Sequence, residues 1–384
     1  MTILFALRGM LLAAVMTSSV AAAPPHRLIV LVNARVPESI ELGRYYMKRR
    51  NIPREHFLAI TVQPNHHTDL NTYERQIREP LSRHFRKHGW FKYDDAGNLI
   101  ANEVKYLVTV MGVPYMITPS LPAEKMHRYT DRSSLDQELA MLPANGNYHY
   151  TGKQPNPFYG SNRGFGAGDS QKMILVTRLD GPALVTVRRM IDDAISVENN
   201  GFKGTAYFDL RGLEPGNSYH SGDVWMQQAI RAARRKNIMC IVDQHPDVIP
   251  ALNAMPDAGL YIGWYSMKVV GPFRNLAFRF NTGAFAYHLY SHSAHKLRDP
   301  NGDWCAQLLY TGAAATMGCV HEPYLDGTPQ IGIFMERLTA GWNLAEASYA
   351  ATPDLSWMTV MLGDPLYRPF AKTIEGSALS NVLD

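Results

Sequence analysis

Ten short apolar runs, rich in β-branched residues, recur along the chain at 28–33, 57–62, 104–111, 173–177, 204–210, 238–243, 260–264, 284–290, 313–320 and 359–362. Runs of that length, several of them stopped by Gly, Pro or Asn, read as buried strands. Helical patterns fill several of the gaps. Pro37 opens a helix to about Arg50, which Asn51-Ile52-Pro53 stops. Tyr73, Ile77, Leu81 and Phe85 recur every four residues, and Pro80 inside that stripe predicts a kink or a split. A helix starts at Asp180-Gly181-Pro182, with Leu184, Val187, Ile191 and Ala194 on one face. Pro182 suits its first position, and Asp180 or Gly181 its cap. A last helix places Phe334, Leu338, Ala345 and Tyr349 inward. This alternation predicts an α/β fold with a largely parallel sheet and helices on both faces.

In open α/β sheets, sites form beyond the carboxyl ends of strands. The run 359–362 passes directly into Gly363-Asp364-Pro365, which stops the strand and projects Asp364 past it. Several other runs also end in polar turns, so a site built from strand ends is expected.

The 384 residues suffice for two domains or one large one, and 46% hydrophobic content supplies a full core. Charged residues are only 19%, which excludes a disordered chain or a coiled coil. Residues 1–23 read as a secretory signal peptide: Arg8, an apolar run from Met10 to Met16, then small residues around Val20 and Ala22. The run is too short to anchor in a bilayer, and no later segment is long enough to span one. The protein is therefore expected to be exported, periplasmic or extracellular. The formal charge is +4, or +3 once that segment is removed. The basic clusters at 48–50, 83–87 and 234–236 lie near predicted helix ends, where they complement the helix dipole and stay solvated. Nucleic acid is not expected as a partner. Cys240, Cys305 and Cys319 allow one internal disulfide at most. The mature chain divides into 24–235, carrying an irregular surface excursion at 115–170, and 236–384.

Familiar catalytic signatures are missing. There is no Gly-x-Ser-x-Gly elbow and no phosphate-binding Gly-Lys-Ser/Thr loop, and His321-Glu322 lacks the second His of a zincin. Four clusters remain. In the segment 288–295, a helix would put His288, His292 and His295 on one face, where they could bind zinc. As a strand end, it would instead expose Ser291 beside a His. Cys319 next to His321-Glu322 could be an activated nucleophile or a buried, inert thiol. Asp136 and Glu138, two apart on a helix, do not face each other, so capping by Ser133 or Ser134 competes with a binding role. Tyr261, Trp264, Tyr265, Trp304, Trp342 and Trp357 could stack on a ligand or simply fill the core.

Two resemblances follow. Leu31-Val-Asn33, Gly43-Arg-Tyr-Tyr46, Met111-Gly-Val-Pro114, Ser134-Leu-Asp-Gln-Glu138, Thr177-Arg-Leu-Asp-Gly-Pro182, Tyr261-Ile-Gly-Trp-Tyr265, His321-Glu-Pro-Tyr-Leu325 and Gly363-Asp-Pro-Leu-Tyr-Arg-Pro369 together resemble a conserved exported bacterial family of unknown function. That family occurs in genomes carrying the exosortase sorting system, which implies an envelope or exopolysaccharide context. More remotely, Met111 to Pro114, Asp136, Arg178, the helix from Pro182 and Gly363-Asp364-Pro365 follow the order of gingipain-like, caspase-fold cysteine peptidases. That likeness implies a two-part caspase-like architecture. At the matching positions, however, Trp264 stands in the place of the catalytic His and Ser291 in the place of the catalytic Cys. A Trp cannot take a proton from a nucleophile.

The expectation is a scaffold of peptidase type without the His/Cys dyad, needing no cofactor and no metal. It would bind an envelope peptide, protein or exopolysaccharide through Trp264, Tyr265, Asp136, Glu138, Arg178 and Glu322. The alternatives are a carbohydrate-binding envelope protein, or a hydrolase with a rearranged site. In the hydrolase, Ser291 or Cys319 would be the nucleophile, His288, His292, His295 or His321 the base, and Asp364 the orienting group.

Overall fold

A computed structural model of the chain describes residues 28–118, 132–144, 152–250 and 255–371. The segment 1–23 lies outside these residues. No described helix is long and apolar enough to cross a membrane. Ten strands carry the fold: β1 (Leu28–Asn33), β2 (Phe57–Ile60), β3 (Tyr106–Val110), β4 (Leu175–Leu179), β5 (Thr205–Asp209), β6 (Cys240–Asp243), β7 (Ala258–Gly263), β8 (Phe285–His288), β9 (Thr316–Cys319) and β10 (Thr359–Leu362). All ten fall within the apolar runs of the sequence or overlap them closely. β1, β3 and β4 are buried along their whole length, which is why they read as unbroken apolar runs and not as alternation.

The larger sheet has the order β9-β10-β4-β3-β1-β2, and the smaller the order β6-β5-β7-β8. The β1/β2, β1/β3, β3/β4, β5/β6, β5/β7 and β7/β8 pairs are parallel, while β9 and β10 are antiparallel. A single parallel bridge between Phe285 and Ala315 joins β8 to the residue before β9. Thus β2-β1-β3-β4 and β6-β5-β7-β8 repeat one winding order, and the β9/β10 pair lies between them. This is a largely parallel α/β architecture in two parts. Residue 235 closes a helix. β5 of the smaller sheet precedes it, and β9 and β10 of the larger sheet follow it, so the chain passes between the sheets on both sides of that point.

The helices are α1 (Pro37–Arg50), α2 (Leu135–Ala140), α3 (Leu184–Asn200), α4 (His220–Arg235), α5 (Trp304–Tyr310), α6 (Ile331–Thr339) and α7 (Leu344–Ala351). α1 and α3 pack on each other, α4 packs on α6, and α2 and α7 pack on β4. Gly43 permits the close approach of α1 to β1: a Cβ there would lie 2.5 Å from Val32 Cγ1.

Several local expectations are corrected by competing interactions. The stripe from Tyr73 to Phe85 is split, one of the two outcomes expected of Pro80, but the break lies before the proline. A π turn at Glu74–Arg78 separates Leu70–Tyr73 from Glu79–Lys87, so the chain widens just before Pro80 while all four stripe residues stay buried. α3 begins at Leu184, after Pro182, with Ala183 at the cap position and no capping side chain. Asp180 does not cap, because its carboxylate is held by arginines. The last helical segment is two helices, α6 and α7, parted by residues 340–343. Gly341 there takes φ +91°, and Asn343 caps α7 by accepting from Glu346 N. Of the excursion at 115–170, α2 is not on the surface: all six of its residues are buried.

The buried arginines explain much of this. Arg178, at the end of β4, is fully buried. Its guanidinium binds Asp136 of α2 at 2.5 and 3.0 Å, Asp180 at 3.2 Å, and the carbonyls of Val113 and Pro114 at 3.0 and 2.9 Å. Arg298 then holds Asp180 from the other side at 2.7 Å. Removing one partner of a buried ion pair strands a charge and costs about 3–5 kcal/mol. Arg178→Met is therefore expected to lose about that much stability in urea unfolding, whereas a loss under about 1 kcal/mol would show that the network is dispensable.

Candidate functional site

The carboxyl ends of β7, β8 and β9 open onto a cleft of about 460 Å³. Trp264 and Tyr265 follow β7, Leu289 and Ser291 follow β8, and Glu322, Pro323, Tyr324, Leu325 and Thr328 follow β9. Arg211 and Tyr219 close the remaining side from the connection between β5 and α4. The strand-end rule thus locates the cleft. Its walls are fixed from behind. Trp264 is only 2% exposed, and its indole Nε1 donates to Asp223 Oδ1 at 2.7 Å. Asp223 also accepts from Arg211 N and Leu213 N, which shapes the turn after β5. Gly222 leaves room for the indole, since a Cβ there would lie 2.1 Å from its Cη2. On the far side, Trp357 Nε1 donates to Pro323 O at 2.9 Å.

Among the described residues, the nucleophile candidates have no hydrogen-bonded histidine. Ser291 is half-buried in the cleft wall, and Cys319 is buried with its Sγ 4.0 Å from Thr359 Oγ1. Among the described residues, no histidine nitrogen hydrogen-bonds to Ser291 Oγ or Cys319 Sγ. Burial pushes the Cys319 thiol far above its usual range and the Cys305 thiol up to about 12. Neither supplies a thiolate at neutral pH.

His288 is placed as a structural group, not as a base. It is buried and stacked on Trp304 at 3.5 Å, and burial holds its pKa well below the ordinary imidazole value. Its Nε2 accepts from Ser266 N at 3.1 Å, so Nδ1 carries the proton and donates to Tyr261 Oη at 3.0 Å. Tyr261 in turn donates to Asp209 Oδ2 at 3.0 Å. Both ring nitrogens are occupied.

His292, His295 and His321 do come together. Their ligating atoms lie within 4.8 Å of one another, with ring centroids 5.9 Å apart for His292/His295 and 5.5 Å for His295/His321. The expected trio of 288, 292 and 295 is not the one formed, because 288 ends β8 and the following residues form turns, not a helix.

Four other candidates lie in the core. Arg178 and Asp136 are paired with each other, and Glu138 Oε1 accepts from Ser356 Oγ at 2.6 Å. Capping at this helix is done by Ser134, which accepts from Gln137 N at 3.1 Å. Asp364 is fully buried. It accepts from Tyr46 Oη at 2.7 Å and from Arg50 Nε at 2.6 Å, and Arg50 also pairs with Glu198. Asp364 thus orients no histidine, and the expectation that Arg50 stays solvated yields to this ion pair. Of the expected binding set, Trp264, Tyr265 and Glu322 line the cleft.

Sequence reasoning missed Asp209, the last residue of β5. It is buried, accepts from Tyr261 and from Ile249 N, and leaves Oδ1 without a partner. Burial raises its carboxyl to about 7. A lone Asp ending an apolar run looks like an ordinary strand stop, so no local signal marks it.

These features define an α/β protein with a strand-end cleft and no nucleophile–base pair among the described residues. No family model and no curated protein matches the chain. A solved structure described as "Structure of Protease" is similar at a TM-score of 0.44 and 11% identity, over 91% of this chain and 79% of that one.

Two expectations test the site. The folded value for Asp209, about 7, exceeds the ordinary carboxyl value of 3.8. The folded state therefore keeps a proton that the unfolded state releases, and this contribution is lost as pH rises from about 4 through 7. Asp209→Asn is expected to gain stability relative to the native chain from pH 4.5 to pH 8 in urea titrations; a pH-independent difference would exclude the buried proton. Native-state alkylation with iodoacetamide is expected to leave Cys305 and Cys319 unmodified by mass spectrometry, and rapid labelling of Cys319 would restore it as a nucleophile.

Proposed function

We propose that this is an exported envelope protein that binds a glycan chain in the strand-end cleft without cleaving it. The observation that carries this reading is the cleft's lining. Tyr219, Tyr265 and Tyr324 are 55, 37 and 44% exposed, and Arg211, Ser291 and Glu322 stand among them. Exposed aromatic faces beside charged hydrogen-bonding groups suit sugar rings, which stack on one face and bond at their edges. A peptide is the other ligand such a cleft could take, and the aromatic count favours the saccharide. The lack of a base beside Ser291 or Cys319 supports binding over hydrolysis. The resemblance to an exported family found with exosortase systems supports an envelope setting, with exopolysaccharide as the polymer at hand.

The test is a glycan array and a peptide library probed with the purified protein. Tyr265→Ala and Tyr324→Ala are expected to weaken retention of the selected glycan about 10-fold each, equivalent to about 1.4 kcal/mol. Trp264→Ala is a poor probe, since the buried indole supports the wall itself. Selection of peptides alone would replace the glycan, and peptide turnover abolished by Ser291→Ala would overturn the non-catalytic reading.

A further inference from the structure

We propose that His292, His295 and His321 bind one Zn2+ ion, with a coordination position left open. The site goes beyond the cleft reading and does not depend on it. Its ligands come from two places that the fold clamps together: the turns of residues 291–298, and the residues that leave β9.

The clamp is specific. Ala294 N donates to Cys319 O at 3.0 Å, and Cys319 N donates to Ser293 Oγ at 3.1 Å. Tyr115 Oη donates to His295 O at 2.8 Å, and Arg298 anchors the end of the same segment to Asp180. The histidine backbones are therefore held before any ion arrives.

The ring chemistry then points to a metal. His295 Nδ1 lies 3.0 Å from Val320 O. A carbonyl only accepts, so Nδ1 carries the proton and Nε2 keeps its lone pair. A backbone carbonyl on one imidazole nitrogen is the usual way to fix a metal-ligating ring. His321 is buried, and its Nε2 has no hydrogen-bond partner. A buried polar atom left unsatisfied is costly, and a bound cation is one way to satisfy it. Zn–N bonds of about 2.0–2.1 Å place tetrahedral ligands roughly 3.4 Å apart. The present spread of 4.8 Å or less closes with modest ring rotation.

The surrounding charges act in both directions. Arg132 opposes a cation at His292 and His321, while Glu322 and Asp303 favour one at His292. Three imidazoles with a free position are the ligand set of open zinc sites, and imidazole suits this borderline ion better than Mg2+ or Ca2+. Ser291 and Glu322, the sequence neighbours of His292 and His321, line the cleft, so the ion would sit beside it.

The test uses the untagged full chain, freed of metal by chelator and titrated with Zn2+ in a competition assay, then with Co2+ as a spectroscopic probe. One ion per chain with a sub-micromolar Kd is expected, along with visible Co2+ bands of four- or five-coordinate intensity. His292→Ala, His295→Ala and His321→Ala are each expected to weaken binding by about 100-fold or more. Should His321→Ala fail to fold, His292→Ala and His295→Gln, both at half-buried positions, decide the matter. The stacked pair His84 and His88, 4.2 Å apart, provides a control: His84→Ala with His88→Ala should change nothing. The proposal is overturned if the native chain takes up no stoichiometric zinc, or if the triple variant of 292, 295 and 321 binds it as well as the native chain does.

Discussion

The buried guanidinium of Arg178 is the interaction on which the carboxyl end of the larger sheet depends. A charge in that position is tolerable only because every direction of its fork meets an acceptor: two carboxylates and two backbone carbonyls. Those acceptors belong to separate pieces of chain. Asp136 is in α2, Val113 and Pro114 follow β3, and Asp180 follows β4. Lysine, a point charge with three donors, could not join them all. The ion pairs keep the Asp180 carboxyl below its usual range despite burial, so the network stays charged at neutral pH. Asp180 then passes the constraint on through Arg298 to the turn segment that carries His292 and His295. The geometry of the candidate site is thus set partly by a salt-bridge network in the core of the larger sheet.

The cleft illustrates how packing commits the groups at strand ends. The ends of β7 and β8 carry Trp264 and His288. Here the residue after β7 is an indole committed to Asp223, and the histidine of β8 is committed to Ser266 and Tyr261. The thiol near the end of β9 is sunk against Thr359. Trp264, His288 and Cys319 are thus engaged in packing or hydrogen bonding, while Ser291 lies in the cleft wall. Accessible in the cleft are tyrosine faces and a few polar side chains.

The strands were legible because β1, β3, β4, β7 and β10 are buried on both faces and leave unmistakable apolar runs. Helix boundaries were less legible wherever a tertiary bond outbid a local one. Asp180 would cap a helix in isolation, but two arginines reach it first. Pro80 marks a split helix, but the position of the break is set by a π turn that ends at Arg78. The site was legible where it followed from strand ends, as for Trp264, Tyr265, Ser291 and Glu322. It was not legible where the partners are set by packing. His321 lies far along the chain from His292 and His295, and nothing in their spacing announces that β9 returns beside the turns after β8. Asp364 misled in the opposite direction, since a Gly-Asp-Pro turn past a strand looks like a site and is in fact the anchor for Tyr46 and Arg50.

Two histidine environments in this one protein show what distinguishes a structural imidazole from a candidate ligand. Both His288 and His321 are buried, and burial keeps both neutral. His288 has a donor on one nitrogen, an acceptor on the other and an indole on its face, so its hydrogen-bonding capacity is spent inside the fold. His321 has a buried nitrogen with nothing to bond, and two further imidazoles turned to within reach of it. An electron-pair acceptor can resolve that arrangement, and a divalent ion satisfies all three rings at once. What separates the two rings is whether the fold has already supplied each ring nitrogen with a partner.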